Sequence, residues 1–204
     1  GTAKASAADR ERIPHHLMDI RDAHEPFSVS EFQQLARAKI EEIHARGRLP
    51  FLVGGTGLYV KSVCYDYRFS GVGEDESYRQ RMQEYARLHG NEALHDKLGQ
   101  IDPETAARLH PNDLRRIIRA LEVHHLTGVT LSETLRNQTN SSPYRLCILG
   151  LTMDRAQLYE RIERRVDRML AAGLVQEVER LLEEGVPDDA ISMQGLGYKE
   201  IVPY

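Results

Sequence analysis

A glycine turn set directly behind a short apolar run places the strictest limit on how this chain folds. Leu49-Pro50-Phe51-Leu52-Val53 leads at once into Gly54-Gly55-Thr56-Gly57. Upstream, Ser28-x-x-Glu31 is a capping box, in which hydroxyl and carboxylate each satisfy a backbone N–H that the first helical turn leaves unpaired. Phe32, Leu35, Ala36, Ile40 and Ile43 follow at helical spacing, and Gly47 stops the run. Helix, buried strand and glycine turn in that order is the rhythm of a parallel α/β sheet. Leu146-Cys147-Ile148-Leu149-Gly150-Leu151 reads as a second inner strand. Behind it Asp154 and Gln157 open a helix predicted to reach about Glu184, with Gly173 as its weak point and Leu158, Ile162, Val166, Met169, Leu170, Val178, Leu181 and Leu182 as its apolar stripe. Two strands alone make no stable sheet. The chain begins at Gly1 without Met and ends Val202-Pro203-Tyr204 without a helix stop. Both ends read as cuts through structure, so the remaining strands are expected in a longer protein.

Between the α/β pieces the texture changes. From about Gly71 to Ser142 no strand-like run occurs, and helices are predicted over Ser77–Leu88, Glu92–Leu98, Pro103–Leu109 and Asp113–Leu126. Asp102-Pro103 and Asn112-Asp113 are start signals, and Gly90 and Gly128 are stops. Arg136 to Pro143 is a polar loop returning the chain to the sheet. The expected organisation is an α/β core from residues 1–70 and 143–204, interrupted by an all-helical insertion over 71–142. At 41% hydrophobic residues the chain has material for a core, which excludes a disordered or collagen-like protein. No apolar run approaches the ~20 residues of a membrane helix. Two cysteines, Cys64 and Cys147, form no disulfide framework, so a cytoplasmic setting without membrane contact is expected, as a monomer.

Three features bear on chemistry. Glycines at 54, 55 and 57 let a backbone approach a ligand closely, the following helix N-terminus favours anions, and the Thr56 hydroxyl is a donor for a phosphate oxygen. This is neither a Walker A loop, lacking Gly-Lys-Ser/Thr, nor G-x-G-x-x-G, since Val60 takes the last glycine's place. A plain tight turn fits the spacing equally well. Second, Arg108, Arg115, Arg116 and Arg119 face one acid, Asp113, across residues 108–119, and Arg79, Arg81 and Arg87 form a further basic stretch opposed by Glu84. The planar guanidinium fork suits phosphate, and such a helical face fits a nucleic-acid backbone; a solvated face is the bland alternative. Third, Arg161, Arg165 and Arg168 share a face at i, i+4 and i+7, while Glu160, Glu163 and Asp167 interleave with them. The pairs His15-His16 and His124-His125 show no zinc spacing, and no structural metal site is read.

Several motifs together resemble one family, the bacterial-type tRNA dimethylallyltransferases, also called tRNA isopentenyltransferases. Gly1-Thr2-Ala3-Lys4 resembles the tail of its D-I-G-T-A-K segment, and Arg12-Ile13-Pro14-His15-His16-Leu17-Met18-Asp19 resembles R-I-P-H-H-L-I-D. Gly54 to Tyr59 matches G-G-T-x-L-Y. Asn112-Asp113 through Glu122 matches N-D-x-x-R-x-x-R-A-L-E, and Gly195 to Glu200 is similar to x-x-G-Y-[KR]-[EQ]. The motifs occur in the family's order along the whole chain.

The resemblance implies a P-loop-NTPase-like parallel-sheet core, incomplete here, with a helical insertion that grips the anticodon stem-loop of tRNA. The implied reaction moves a dimethylallyl group from dimethylallyl diphosphate to N6 of the adenosine 3′ to the anticodon, on a base flipped into a channel. The family's P-loop and amine-activating Asp lie upstream of Gly1, so this stretch alone is expected to be inactive. On this resemblance Thr56 is the catalytic residue, at the diphosphate and the target nucleotide. Arg161 and Arg165 bind diphosphate, with Mg²⁺ sharing the charge. Arg79, Arg115, Arg116, Ile117, Ile118 and Arg119 fall in segments used against tRNA, with Ile117 and Ile118 read as core. Gln194, Gly195, Leu196, Gly197, Tyr198 and Lys199 are weaker tRNA candidates. Two rivals are an adenylate isopentenyltransferase acting on free nucleotide and a non-catalytic RNA-binding helical module.

Overall fold

The computed structural model describes residues 4–69, 71 and 73–202. In chain order its helices are α1 (Ala7–Arg12), α2 (Val29–Ala45), α3 (Gly57–Cys64), α4 (Glu76–His89), α5 (Asn91–Ile101), α6 (Pro103–Ala106), α7 (Leu114–Thr127), α8 (Leu131–Arg136), α9 (Arg155–Ala171), α10 (Leu174–Glu183), a 3₁₀ turn (Ile191–Gln194) and α11 (Tyr198–Ile201). The chain divides into two units, residues 61–145 and residues 1–60 with 146–204.

The unit of residues 61–145 is built on α4, α5 and α7, which pack against one another. Asp75 opens α4 by accepting the Tyr78 N–H at 2.9 Å, and Gly90, at φ 90°, closes it. Gly128 in the left-handed region ends α7. The spacing of apolar residues on these helices brings Met82, Ala86, Leu94, Leu98, Ala106, Ile117, Ile118, Ala120 and Leu121 into one core. Leu94, Leu98 and Ile117 are 0% exposed, and each contributes at most about 1.5–3 kcal/mol by burial. Asp102, 2% exposed, joins two helix starts: one carboxylate oxygen accepts Thr105 N–H and the other Ser132 N–H, both at 3.0 Å.

Two details depart from the sequence reading. The helix predicted over Pro103–Leu109 stops at Ala106, where tighter i→i+3 bonds from Arg108 and Leu109 take over. His95 Nε2 sits 3.0 Å from the carbonyl oxygens of both Ala106 and Leu109 and closes that end. The helix α8 was not predicted, although Thr130 and Glu133 form a complete capping box at its start.

In the other unit, Ser28 and Glu31 form the predicted capping box of α2, with Ser28 N–H donating to Glu31 Oε2 at 2.9 Å. The Phe32 ring meets Tyr59 at 4.8 Å. The long helix predicted from Asp154 divides in two, because Gly173 adopts φ 91° and no helix continues through that conformation. Val178, Val186 and Met193 form a small core with Leu181, Tyr198 and Ile201 against it, and Ser192 Oγ donates to Ala23 O at 2.7 Å.

The two predicted inner strands are corrected. Among the described residues no strand occurs, and both 49–53 and 146–151 are irregular. Phe51, Val53, Leu149 and Leu151 are 78%, 90%, 81% and 98% exposed. A strand exists only through hydrogen bonds to a neighbour, and these two runs do not ladder with each other. The apolar stripe of α9 is uncovered in the same way, with Leu158, Ile162, Val166 and Leu170 each 42–48% exposed.

Candidate functional site

The loop Gly54-Gly55-Thr56 is exposed and runs straight into α3. Thr56 stands at the helix start, since its carbonyl accepts the Val60 N–H at 3.1 Å. None of Gly54, Gly55 and Gly57 has a positive φ, and among the described residues nothing lies within 4 Å of a Cβ built on any of them. Neither backbone handedness nor crowding inside this chain calls for glycine there. Thr56 thus presents its hydroxyl from an open, small-residue rim beside a helix N-terminus.

Arg161 and Arg165 project from α9, whose start is fixed by Asp154 accepting the Ala156 N–H at 2.9 Å. Both are exposed and, with Arg164, Asp167 and Arg168, line an open hollow. Arg164 pairs with Glu160, and Arg168 Nε donates to the Arg164 carbonyl at 3.1 Å. No acidic partner holds Arg161 or Arg165 among the described residues. Their charge is therefore directed outward.

The segment 194–199 is shaped by its own backbone. Gly197 adopts φ 97°, and a Cβ on it would lie 3.6 Å from Leu174 and 3.9 Å from Met169, so the conformation more than the space demands glycine. Its N–H donates to Glu200 Oε2 at 2.7 Å. Tyr198 donates its hydroxyl to Glu177; burial first, and the carboxylate second, hold that phenol well above its ordinary range. Gln194 Nε2 donates to Asp188 O at 3.2 Å, and Lys199 pairs with Glu200 at 3.7 Å. Gly195 lies exposed and Leu196 is 84% exposed.

In the helical unit the arginines separate into two groups. Arg79 donates from Nε and Nη2 to the two oxygens of Glu122 at 2.8 and 3.0 Å, and pairs through Nη1 with Glu74 at 2.9 Å. Arg119 Nη1 donates to Glu122 and, at 3.2 Å, to Gly73 O. Glu122 is 0% exposed and also accepts the Asp75 N–H at 2.8 Å. Burial alone would raise its pKa, but the two guanidinium groups and the amide outweigh it, and the carboxyl is held below its ordinary range. Arg115 and Arg116 point outward instead; Arg116 is 75% exposed and pairs with Asp113 at 3.2 Å. Ile117 and Ile118 are buried in the core, as the sequence reading of them as core residues expects.

With this geometry in place, comparison with known proteins is decisive. The model of the IPP transferase family matches residues 1–204. The chain belongs to that family. It is 52% identical over its full length to a tRNA dimethylallyltransferase of Geobacillus thermodenitrificans and 49% identical to one of Bacillus subtilis. It covers 64% and 65% of these relatives, so it spans just under two thirds of the length of the curated relatives it matches. Among solved structures it resembles the full-length tRNA isopentenylpyrophosphate transferase from Bacillus halodurans, with TM-score 0.64, 49% identity and coverage of 100% of this chain and 62% of that one. A eukaryotic dimethylallyltransferase acting on tRNA aligns with TM-score 0.78 at 30% identity, over 98% of this chain and 51% of that one.

For a member of the IPP transferase family, the residue that sequence reasoning missed is Glu122. It closes the N-D-x-x-R-x-x-R-A-L-E motif and gathers two of the arginines that the resemblance assigns to RNA. The available signal is its register: an acid one helical turn after Ile118 lies on the arc that faces the core. Among the described residues no group of three or more His, Cys, Asp and Glu side chains stands ready for a metal ion. No helix among them is long and apolar enough to cross a membrane.

Proposed function

We propose that the protein containing this chain transfers a dimethylallyl group from dimethylallyl diphosphate to N6 of the adenosine 3′ to the anticodon of tRNA. The observation that carries this reading is the 52% identity, over every residue of the chain, to a protein described as a tRNA dimethylallyltransferase. In this reading the N6 lone pair attacks the allylic carbon, the C–N bond forms as the C–O bond to diphosphate breaks, and the amine proton leaves to a base. The resemblance assigns that base to an Asp upstream of Gly1. Negative charge grows on the departing diphosphate, so fixed donors around it are the effective device. Thr56 on its open rim and the outward Arg161 and Arg165 are the donors this chain offers. Residues 194–199 lie at the edge of the RNA site, and residues 71–142 are the insertion that grips the stem-loop.

The same reading accounts for the exposed apolar runs. Val53 at 90% and Leu151 at 98% exposure are surfaces that water does not favour. We place both runs in a P-loop-NTPase-like parallel sheet whose other strands belong to the remaining third of the protein. The test is full-length protein with labelled dimethylallyl diphosphate and unmodified tRNA, and label on that one adenosine is the expected result. Equal labelling of free AMP overturns the tRNA assignment in favour of a free-nucleotide transferase.

A further inference from the structure

We infer that Gln138 is a positioning residue for transfer to tRNA: its carboxamide fastens the chain that enters the helical unit to the chain that leaves it. This rests on the tRNA reading above, in which that unit grips the stem-loop. Both connections lie within the unit of residues 61–145. Arg68 N–H donates to Gln138 Oε1 at 2.8 Å, and Gln138 Nε2 donates back to Arg68 O, across 70 positions of sequence. In an antiparallel ladder two facing residues exchange both N–H···O bonds; here a side-chain amide stands in for one of the two peptides. Further along, Asp66 N–H donates to Ser141 O at 2.8 Å and Ser142 Oγ to Cys64 O at 2.6 Å, while Tyr144 N–H donates to Ser142 Oγ at 3.0 Å. Residues 64, 66 and 68 thus meet 142, 141 and 138 in antiparallel order, and side chains close both ends of this stem.

The place of this tie separates orientation from folding. Arg68 is exposed and Gln138 half-buried, so water competes for both partners and the net gain per bond is small. Neither belongs to the core that Leu94, Leu98, Ile117 and Leu121 build. The helical unit therefore folds without the tie. What the tie removes is the freedom of the two connections: untied, each is a single chain with its own backbone rotations, and tied, they turn as one piece. A tRNA that needs one arrangement of the helical unit binds only the fraction of molecules that hold it, and its apparent affinity falls by that fraction. Dimethylallyl diphosphate, which the reading above assigns to Thr56, Arg161 and Arg165 in the other unit, does not depend on that fraction.

The test uses full-length protein, unmodified tRNA and dimethylallyl diphosphate. Gln138→Met keeps the length and volume of the side chain and removes only the amide. It should raise the KM for tRNA about 5–10-fold and leave kcat at saturating tRNA within about 2-fold, with the Kd of dimethylallyl diphosphate and the Tm at wild-type values. Hydrogen exchange at the backbone amides of Asp66 and Arg68 should quicken at the same time. Ser142→Ala opens the other end of the stem and should raise the same KM, whereas Asn137→Ala, beside Gln138, should not. An unchanged KM in Gln138→Met overturns the inference. So does a KM that rises together with a lowered Tm, which makes the tie part of the fold. A KM raised by Gln138→Met but not by Ser142→Ala makes Gln138 a direct RNA contact and equally overturns it. Wild-type protein that places no label on tRNA overturns the tRNA reading itself, a separate outcome, since amide exchange still reports the tie.

Discussion

Replacing Glu122 by Gln tests the helical unit at its most heavily bonded point. The substitution keeps the volume, so it opens no cavity and isolates the charge. The carboxylate accepts from Arg79 twice, from Arg119 and from the Asp75 N–H. Gln retains one acceptor oxygen and turns its NH₂ toward a guanidinium, so about two of these bonds are lost. A hydrogen bond to a charged group is worth roughly 1.5–3 kcal/mol when buried. The guanidinium sides are 23% and 36% exposed, so water takes up part of that loss. The net cost is then about 2–3 kcal/mol, at or below the lower end for breaking a buried pair. In a chain of this size that lowers Tm by roughly 4–12 °C.

The sign of the pH dependence follows from the direction of the shift. The folded-state pKa of Glu122 is depressed, so its contribution is fully present above the unfolded value, about 4.3, and is lost as pH falls through the folded value. The gap between wild type and Glu122→Gln should be full at pH 7 and close on acidification. Urea denaturation of both proteins between pH 7 and pH 3 measures it. A gap under about 0.5 kcal/mol at pH 7 would place this pair among ordinary surface salt bridges and refute the reasoning. A gap that does not change with pH would show that the charge is not the cause.

Other perturbations have equally definite outcomes. Asp102→Ala removes the acceptor for Thr105 and Ser132 N–H together and should cost about 2–3 kcal/mol by denaturation, since a single lost cap costs up to ~2. Gly197→Ala has room for its methyl but keeps φ 97°, so it should cost about 1–2 kcal/mol from backbone strain alone; no loss of stability would mean that the segment relaxes. Thr56→Ala should slow transfer roughly 100-fold, as loss of one transition-state donor does, with Tm unchanged. A rate within about 3-fold of wild type would remove Thr56 from the site.

The helices of residues 71–142 are legible because their punctuation is local. Asp75, Gly90, Asp102-Pro103 and Gly128 act on the turn beside them, and a helix satisfies its own backbone. The same rule explains α8, whose start at Thr130 and Glu133 is written as plainly as that of α2. The two sheet segments obey a different logic. Leu49–Val53 and Leu146–Leu151 carry the composition of inner strands, but a strand is completed by a neighbour and not by its own sequence. Here they stay irregular with Val53 and Leu151 in water. The arginines fail to sort for a related reason. In sequence Arg115, Arg116 and Arg119 are three equal charges on one helix. What separates them is a carboxylate three residues past Arg119, lying against Arg79 from a different helix, 43 positions away in the chain. Charge counting finds the basic face; only the burial of the opposing acid tells which of its members are already spent.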